Sequence, residues 1–453
     1  MLKRKINTII ITLFICWPLL TFFSCNMKED GQSTRLPTGL TEQEQQLVQE
    51  LNEWLFPLES PPLELTDDQL GFLDRLRDAR IAALGEATHG TREFFQMKHR
   101  IFKYLVEHHQ HRAFGFEADF AESIYINNYI TRGEGNLDDI VENIMHFWVW
   151  KTQEVKELLE WMKNYNEGKS EEEKIHYYGF DCQFTDLHPG LIQEYLTRTM
   201  PELWGNISPS LEQVRNLSTD DIRGLSAKSY IAIKDQLESA RDQVTANQNQ
   251  LVSNSSLREY KNAFQLFNTL LQGFAVNFYY GKGGLNRRDR YMAENALWIA
   301  NSFGEDAKIT LWAHNAHVAK DPFFSNDRSM GYQLYKELDQ LYQVVGFAFS
   351  TGGFSAVGQG NASGSMTHEI TSEPKRQSIN FLCHHASHAN FAFHLDAVAA
   401  GSQWDNWLAS SKLFLMIGSV YKGSPEGYYM TINIREQYDW IIYFDNTTAS
   451  RLL

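Results

Sequence analysis

The 453-residue chain is poor in the residues that mark several common chemistries. It has four cysteines and no Cys-x-x-Cys, which excludes a zinc ribbon, a thioredoxin-like site and a disulfide-built scaffold. Its 41 basic residues are outnumbered by 56 acidic ones and form no stripe, so a nucleic-acid partner is excluded. Gly-x-Ser-x-Gly, the phosphate-cradling Gly-x-x-x-x-Gly-Lys and His-Glu-x-x-His are all absent, which removes the usual α/β-hydrolase elbow, the P-loop and the zincin helix. No repeat of solenoid period occurs. What is there is globular: 43% apolar, 13% aromatic, with a net charge of −15. The length suits one large domain carrying an insertion.

One long apolar run exists, over 6–23, behind the basic head Lys3, Arg4 and Lys5. It ends at Ser24-Cys25 and gives way to a polar stretch. This pattern predicts a lipoprotein signal over 1–24, an acylated Cys25 and a polar tether over 25–40. An uncleaved membrane anchor is the alternative. Either way the body sits on a membrane outside the cytoplasm, in the cell envelope. Loss of the three basic residues brings the mature chain to about −18, a charge that repels anionic substrates. Cys182 and Cys383 remain, and sequence alone leaves their pairing open.

From residue 41 onward the periodicity alternates. Short apolar runs at 79–84, 112–116, 175–180, 308–313, 342–350 and 440–444 predict strands. Helical spacing occupies 41–55, 67–76, 93–107, 122–130, 154–165 and 289–301. The alternation predicts an α/β fold, a mostly parallel sheet flanked by helices. The stretch 190–280 lacks strand-like runs and predicts a helical insertion forming a cap over the cleft. Residues 351–365, with five glycines, predict a flexible connection.

The chemistry gathers where strands end. Glu86 and His89 follow the first strand, Glu117 and Asp119 the second, Asp181 the third, and His314 and His317 the strand at 308–313. In parallel sheets ligands bind beyond the carboxyl ends of the strands, so these residues predict one shared cleft. In Glu86-Ala87-Thr88-His89-Gly90 a glutamate three residues from a histidine can orient an imidazole that takes a proton from water. Thr88 or Thr91 could equally cap the following helix, with His89 a bystander. His314-Asn315-Ala316-His317 offers a metal pair, or a base with an oxyanion donor. The histidines at 384, 385, 388 and 394 read as loop and edge strand, and those at 108, 109 and 111 as helix-end charges. Trp148, Trp150 and Trp161 read as core or cleft wall.

Leu84-Gly85-Glu86-Ala87-Thr88-His89-Gly90-Thr91-Arg92-Glu93-Phe94-Phe95 resembles the signature of the erythromycin esterase family. So do Phe114-Gly115-Phe116-Glu117-Ala118-Asp119, Gly179-x-Asp181 and Trp312-Ala313-His314-Asn315-Ala316-His317, in the family's order. The resemblance spans roughly residue 40 to the end. It implies a catalytic domain over 41–453 that hydrolyses a macrolide lactone or related carboxylic ester by activated water, with no covalent intermediate. Carried onto this chain, it implies His89 as general base, Glu86 as its orienter, and His314 and His317 completing the site, with His314 a rival base. Glu93 and Lys98 match positions near the family's site, Lys98 standing where some members have arginine; with Glu117 and Asp181 they are the expected substrate-binding residues. No cofactor is expected. The alternatives are a metallohydrolase with Glu86, His89, His314 and His317 as ligands, or a metal- or haem-binding surface lipoprotein on the same scaffold. The envelope anchor departs from the cytoplasmic resistance enzymes and leaves the true substrate open.

Overall fold

The computed structural model describes residues 39–321, 329–358 and 365–453. The expected signal, tether and Cys25 lie outside the described residues, except for 39 and 40. Among the described residues no helix is long and apolar enough to cross a membrane.

The sheet's main strands are β1 (Ile81–Leu84), β2 (His111–Asp119), β3 (His176–Asp181), β4 (Lys308–Trp312), β5 (Tyr342–Gly358), β6 (Asn390–His394) and β7 (Trp440–Thr447). They lie in the order β3-β2-β4-β1-β5-β7-β6. Every neighbouring pair from β3 to β7 is parallel, and β6 pairs antiparallel with β7. The expected α/β architecture is therefore what forms. Strand registers Ile81↔Ile309 and Leu84↔Trp312 bring β1 and β4 to the same level, so the loops leaving them start side by side.

The strands read as unbroken apolar runs because both sheet faces are covered. Their side chains divide with period two. Ile81, Ala83, Ile309, Leu311, Tyr342 and Val344 join one buried cluster, together with Leu203, Leu211, Leu237, Leu266 and Leu270 of the helical stretch. Ala82, Leu84, Phe114, Phe116, Trp312 and Val345 join the other, with Phe94, Phe102 and Leu105 of helix Arg92–His109 and Leu158 of helix Gln153–Asn166. The helices between 188 and 302 thus join helix Glu42–Trp54 on one sheet face, while helices Arg92–His109 and Gln153–Asn166 cover the other.

Some local expectations change. Only Gly71–Leu76 of the expected helix at 67–76 forms, as a 3₁₀ turn. β5 runs on through the first eight residues of the glycine-rich stretch and pairs antiparallel with Ser365–Ile370, while 359–364 lie outside the described residues. The segment at 377–395 contains helix Ile379–His384 as well as β6. Cys182 and Cys383 are separate, buried free thiols; burial pushes both well above the usual thiol range.

Candidate active site

Two loops form the centre. They are joined by main-chain bonds that extend the β1–β4 pairing past the strands: Ala313 N–H to the Leu84 carbonyl, 3.2 Å, and Asn315 N–H to the Glu86 carbonyl, 2.9 Å. Asn315 also reaches across to β5, giving its side-chain N–H to the Phe347 carbonyl (2.8 Å) and accepting from Phe347 N–H (3.1 Å). Glycine at 85 is dictated by this junction, because a Cβ there would lie 2.1 Å from the Asn315 amide oxygen; one at 90 would lie 2.2 Å from the Ser355 carbonyl. Both glycines therefore serve close packing of backbone within the protein. Thr91 stands at the N-cap of helix Arg92–His109 without a side-chain cap bond, and its hydroxyl is 2.6 Å from that of Thr88.

Glu86 is fully buried. Its Oε1 takes the His89 Nδ1 proton at 2.6 Å, and its Oε2 takes Lys98 Nζ at 2.6 Å and Trp312 Nε1 at 2.7 Å. Burial pushes the Glu86 carboxyl up, but Lys98 and His89 outweigh it and hold it below the ordinary value. Lys98 is itself fully buried, 4.3 Å over the Trp312 ring, and burial brings its ammonium down to about 8 against the pull of Glu86. With Nδ1–H given to Glu86, the neutral tautomer of His89 leaves its lone pair on Nε2; the residue lines the cleft, and among the described residues no hydroxyl or thiol is bonded to it.

The His314 ring lies beside it, 5.1 Å between centroids. Its Nδ1 accepts Ala316 N–H at 3.2 Å, so the neutral ring keeps its proton on Nε2. That Nε2 is buried and unpartnered among the described residues. Burial, reinforced by His89 and His317, pushes His314 down to about 3, so it stays neutral. His89 and His314 thus carry opposite tautomers: one presents a lone pair, the other a donor.

A charged frame closes the other side. Glu117 accepts the His314 backbone N–H at 3.0 Å and Arg288 Nη2 at 2.7 Å. Arg288 also grips Asp181 with two bonds, 2.9 and 2.7 Å. His317 gives Nδ1–H to Asp289 at 2.7 Å, and its Nε2 is 3.3 Å from Glu117. Burial alone would lower His317, but Asp289 and Glu117 raise it to about 9. As an imidazolium it donates to Glu117; the Arg288 Nη1 also 3.3 Å away is then a close neighbour and not a donor to it. Burial would raise Glu117, and His317 and Arg288 hold it well below the usual carboxylate range.

These groups open on a cleft of about 400 Å³, at the low end of ligand-pocket sizes. His89, Glu117, Arg288, His314 and His317 line it, with Phe147, Trp148, Val149 and Trp150 as an apolar wall and Gln183, Gly418 and Ser419 at the rim. None of these lining residues comes from 190–280, so the helical stretch meets the expectation of helices but not, at this cleft, that of a cap. A larger groove of about 650 Å³ among helices Ala227–Ala246, Leu257–Phe278 and Gly284–Ser302 gathers no imidazole.

The strand-end residues Glu86, His89, Glu117, Asp181, His314 and His317 are therefore brought together. Of the four residues expected to bind substrate, Glu117 lines the cleft and Lys98, Asp181 and Glu93 are not among its lining residues. Lys98 is sealed beneath Glu86; Asp181 is fully buried behind Arg288; Glu93 is committed to Thr448, accepting its N–H at 2.8 Å and its hydroxyl at 2.7 Å. Arg288, Asp289 and the Trp312 indole N–H were not singled out by sequence. The run Arg287-Arg288-Asp289-Arg290 inside a helix was the available signal.

The four residues of the metal alternative do not fit that role as arranged. Both Glu86 oxygens and both His317 nitrogens are committed to protein partners. That leaves two imidazole nitrogens, short of the three protein ligands of a catalytic zinc site. Among the described residues, the group whose ligand atoms lie within 4.8 Å of one another is Asp67, Glu107 and His108, all exposed, with His108 at the far end of helix Arg92–His109 from His89.

Known proteins resemble the chain as follows. The profile of the family described as "Erythromycin esterase" matches residues 106–447, which include Glu117, Asp181, Arg288, His314 and His317 but begin after His89. Erythromycin esterase type II of Escherichia coli is 25% identical over 304 residues, covering 62% of this chain and 71% of that protein. A Bacillus cereus protein of known structure superposes with a TM-score of 0.79 at 20% identity, covering 90% of this chain and 99% of its own. A mutant erythromycin esterase in its open conformation gives 0.62 at 17%, covering 85% and 95%. At these identities the two structures speak for the fold.

Proposed function

Since the chain belongs to the erythromycin esterase family, we propose that it is a hydrolase that opens a carboxylic ester, a macrolide lactone or a related large ester, with a water activated by His89. The observation that carries this reading is the pairing of opposite tautomers: an imidazole lone pair backed by a buried glutamate stands next to an imidazole N–H donor, both on one cleft. Because no hydroxyl or thiol is bonded to His89 among the described residues, the nucleophile it serves is water.

The steps follow from the protons. Water lying between His89 Nε2 and the ester carbonyl gives its proton to Nε2 as its oxygen bonds to the carbonyl carbon. Glu86 stabilises the imidazolium, and Lys98 keeps Glu86 ionised. The tetrahedral oxyanion accepts the His314 Nε2–H, a donor that costs no reorganisation because burial already holds that ring neutral. The intermediate collapses, the C–O bond breaks, and His89 returns the proton to the leaving alkoxide. Arg288, His317 and Glu117 hold the His314 loop and screen the developing charge. The aromatic wall offers an apolar seat for the body of the ester. The chain's own side chains complete this cycle without a metal, which is supported by their mutual commitments.

The same reading extends to the N-terminus: Cys25 is acylated and tethers the enzyme to the membrane of the cell envelope. Incubation of the full chain with a panel of macrolides and simple esters, followed by mass spectrometry, tests the activity. Gain of one water by a substrate, absent with His89→Ala, supports the proposal. A folded wild-type chain that opens no lactone and no ester contradicts it.

A further inference from the structure

The wall of the cleft has an anchor outside the catalytic set. His146 immediately precedes the wall residues Phe147, Trp148, Val149 and Trp150. Its backbone N–H and its Nδ1–H both go to Glu122 Oε2, each at 2.9 Å, and its Nε2–H goes to Asp186 at 3.0 Å. The ring stacks on Phe184, 4.0 Å between centroids and 11° from parallel, and Phe184 in turn meets Phe147 edge-on at 5.1 Å. Three elements are thereby joined: helix Phe120–Arg132 through Glu122, the loop after β3 through Phe184 and Asp186, and the wall itself. At its other end the wall is fixed by the Trp150 indole N–H on the Glu117 carbonyl, 3.2 Å. Between these two fixed ends, Trp148 and Val149 face the cleft.

Burial alone would lower the His146 imidazole. Asp186 and Glu122 raise it to about 10, so it is a cation across the neutral range and both ring protons are present to be given. Two charge-assisted bonds meet on one ring, in a site where the second Glu122 oxygen is buried without a partner among the described residues. Their effect reaches the wall because His146 is the chain neighbour of Phe147.

We propose that His146 is a positioning residue for substrate selection: bound between Glu122 and Asp186, it fixes the aromatic wall opposite His89 and sets how well bulky esters bind. The proposal rests on the ester-hydrolase reading, and it divides the kinetic constants in a way a general loss of stability does not. Wall contacts are made by the body of a large ester and not by a small acyl group. Releasing the wall therefore weakens binding of the large ester and leaves the His89 chemistry intact.

Three full-length proteins test it: wild type, His146→Ala and Asp186→Ala. Asp186 is exposed, so its removal spares the core. The probes are p-nitrophenyl acetate and 2-naphthyl butyrate, with hydrogen exchange of residues 146–150 read by mass spectrometry. His146→Ala is expected to raise KM for the naphthyl ester by about tenfold, the equivalent of one charge-assisted pair, while kcat on the acetate stays within about twofold. Asp186→Ala is expected to do the same by about threefold, since the Asp186 charge is itself exposed and solvent-screened. In both, exchange over 146–150 accelerates while that of helix Gln153–Asn166 does not. Unchanged exchange over 146–150 in both variants overturns the proposal, as does an equal loss of kcat on both esters. If wild type cleaves neither ester, the exchange data alone decide whether His146 holds the wall, and the panel of macrolides and esters decides the hydrolase reading.

Discussion

Lys98→Met probes the least accessible part of the site. Methionine keeps the length of the side chain and removes its charge. In the wild type, Nζ has no solvent exposure and lies 2.6 Å from Glu86 Oε2. Removing it leaves the Glu86 carboxylate buried with two N–H donors, from His89 and Trp312, and no buried cation in contact. Breaking one partner out of a buried pair costs about 3–5 kcal/mol, a large share of a total stability of about 5–15 kcal/mol. Glu86 relieves part of that cost by taking up a proton, and a neutral carboxyl no longer holds His89 Nδ1–H or stabilises the imidazolium. Turnover should then fall by about a hundredfold, within the range of a disabled general base. The deficit should shrink as pH rises and Glu86 ionises again. Urea unfolding and initial hydrolysis rates across a pH series measure both effects. Trp312→Phe removes one neutral donor and should cost about 1 kcal/mol. A Lys98→Met protein with the wild-type unfolding midpoint and rate would refute the argument that a buried cation keeps Glu86 charged.

Three further outcomes are expected. His317, raised to about 9 by its acidic neighbours, contributes stability that is fully present below its unfolded value of 6.5 and is lost as pH rises through 9; the contribution is about 3 kcal/mol at most. His317→Gln should flatten that part of the stability–pH curve, and an unchanged slope between wild type and variant would contradict the assignment. Dialysis against a chelator should leave ester hydrolysis intact, and loss of activity restored by one divalent metal would reverse the reading of the donor set. Cys25→Ser should move the protein from the membrane fraction to the soluble fraction and abolish labelling by a fatty-acid probe; retention in the membrane would favour an uncleaved anchor.

Much of the site was legible because parallel-sheet geometry does the convergence. Each of the relevant strands is a short apolar run, and Glu86, Glu117, Asp181 and His314 stand within a few residues of its end, so placing strands placed the chemistry. Neighbour order was not legible: β4 comes fourth in the chain, yet it lies between β1 and β2, and this alone sets His314 beside His89. Arg288 escaped because its helix offered several arginines and no strand end. Lys98 was legible as close to the site, but residue type cannot tell a cation that meets substrate from one sealed under a carboxylate; zero exposure decides that. The glycines at 85 and 90 make room for Asn315 and Ser355, and only the opposing loops reveal why a side chain is excluded there. Trp148 and Trp150 do form cleft wall, as aromatic composition suggested, whereas the segment at 190–280 spends its leucines on a sheet face.

In the proposed mechanism His89 moves the proton of the attacking water. Its most direct measurement is the rate of ester or lactone hydrolysis by His89→Gln alongside its thermal unfolding. The expected rate is at least about a hundredfold lower, with an unfolding temperature close to wild type. A variant that hydrolyses at a near-normal rate would contradict it.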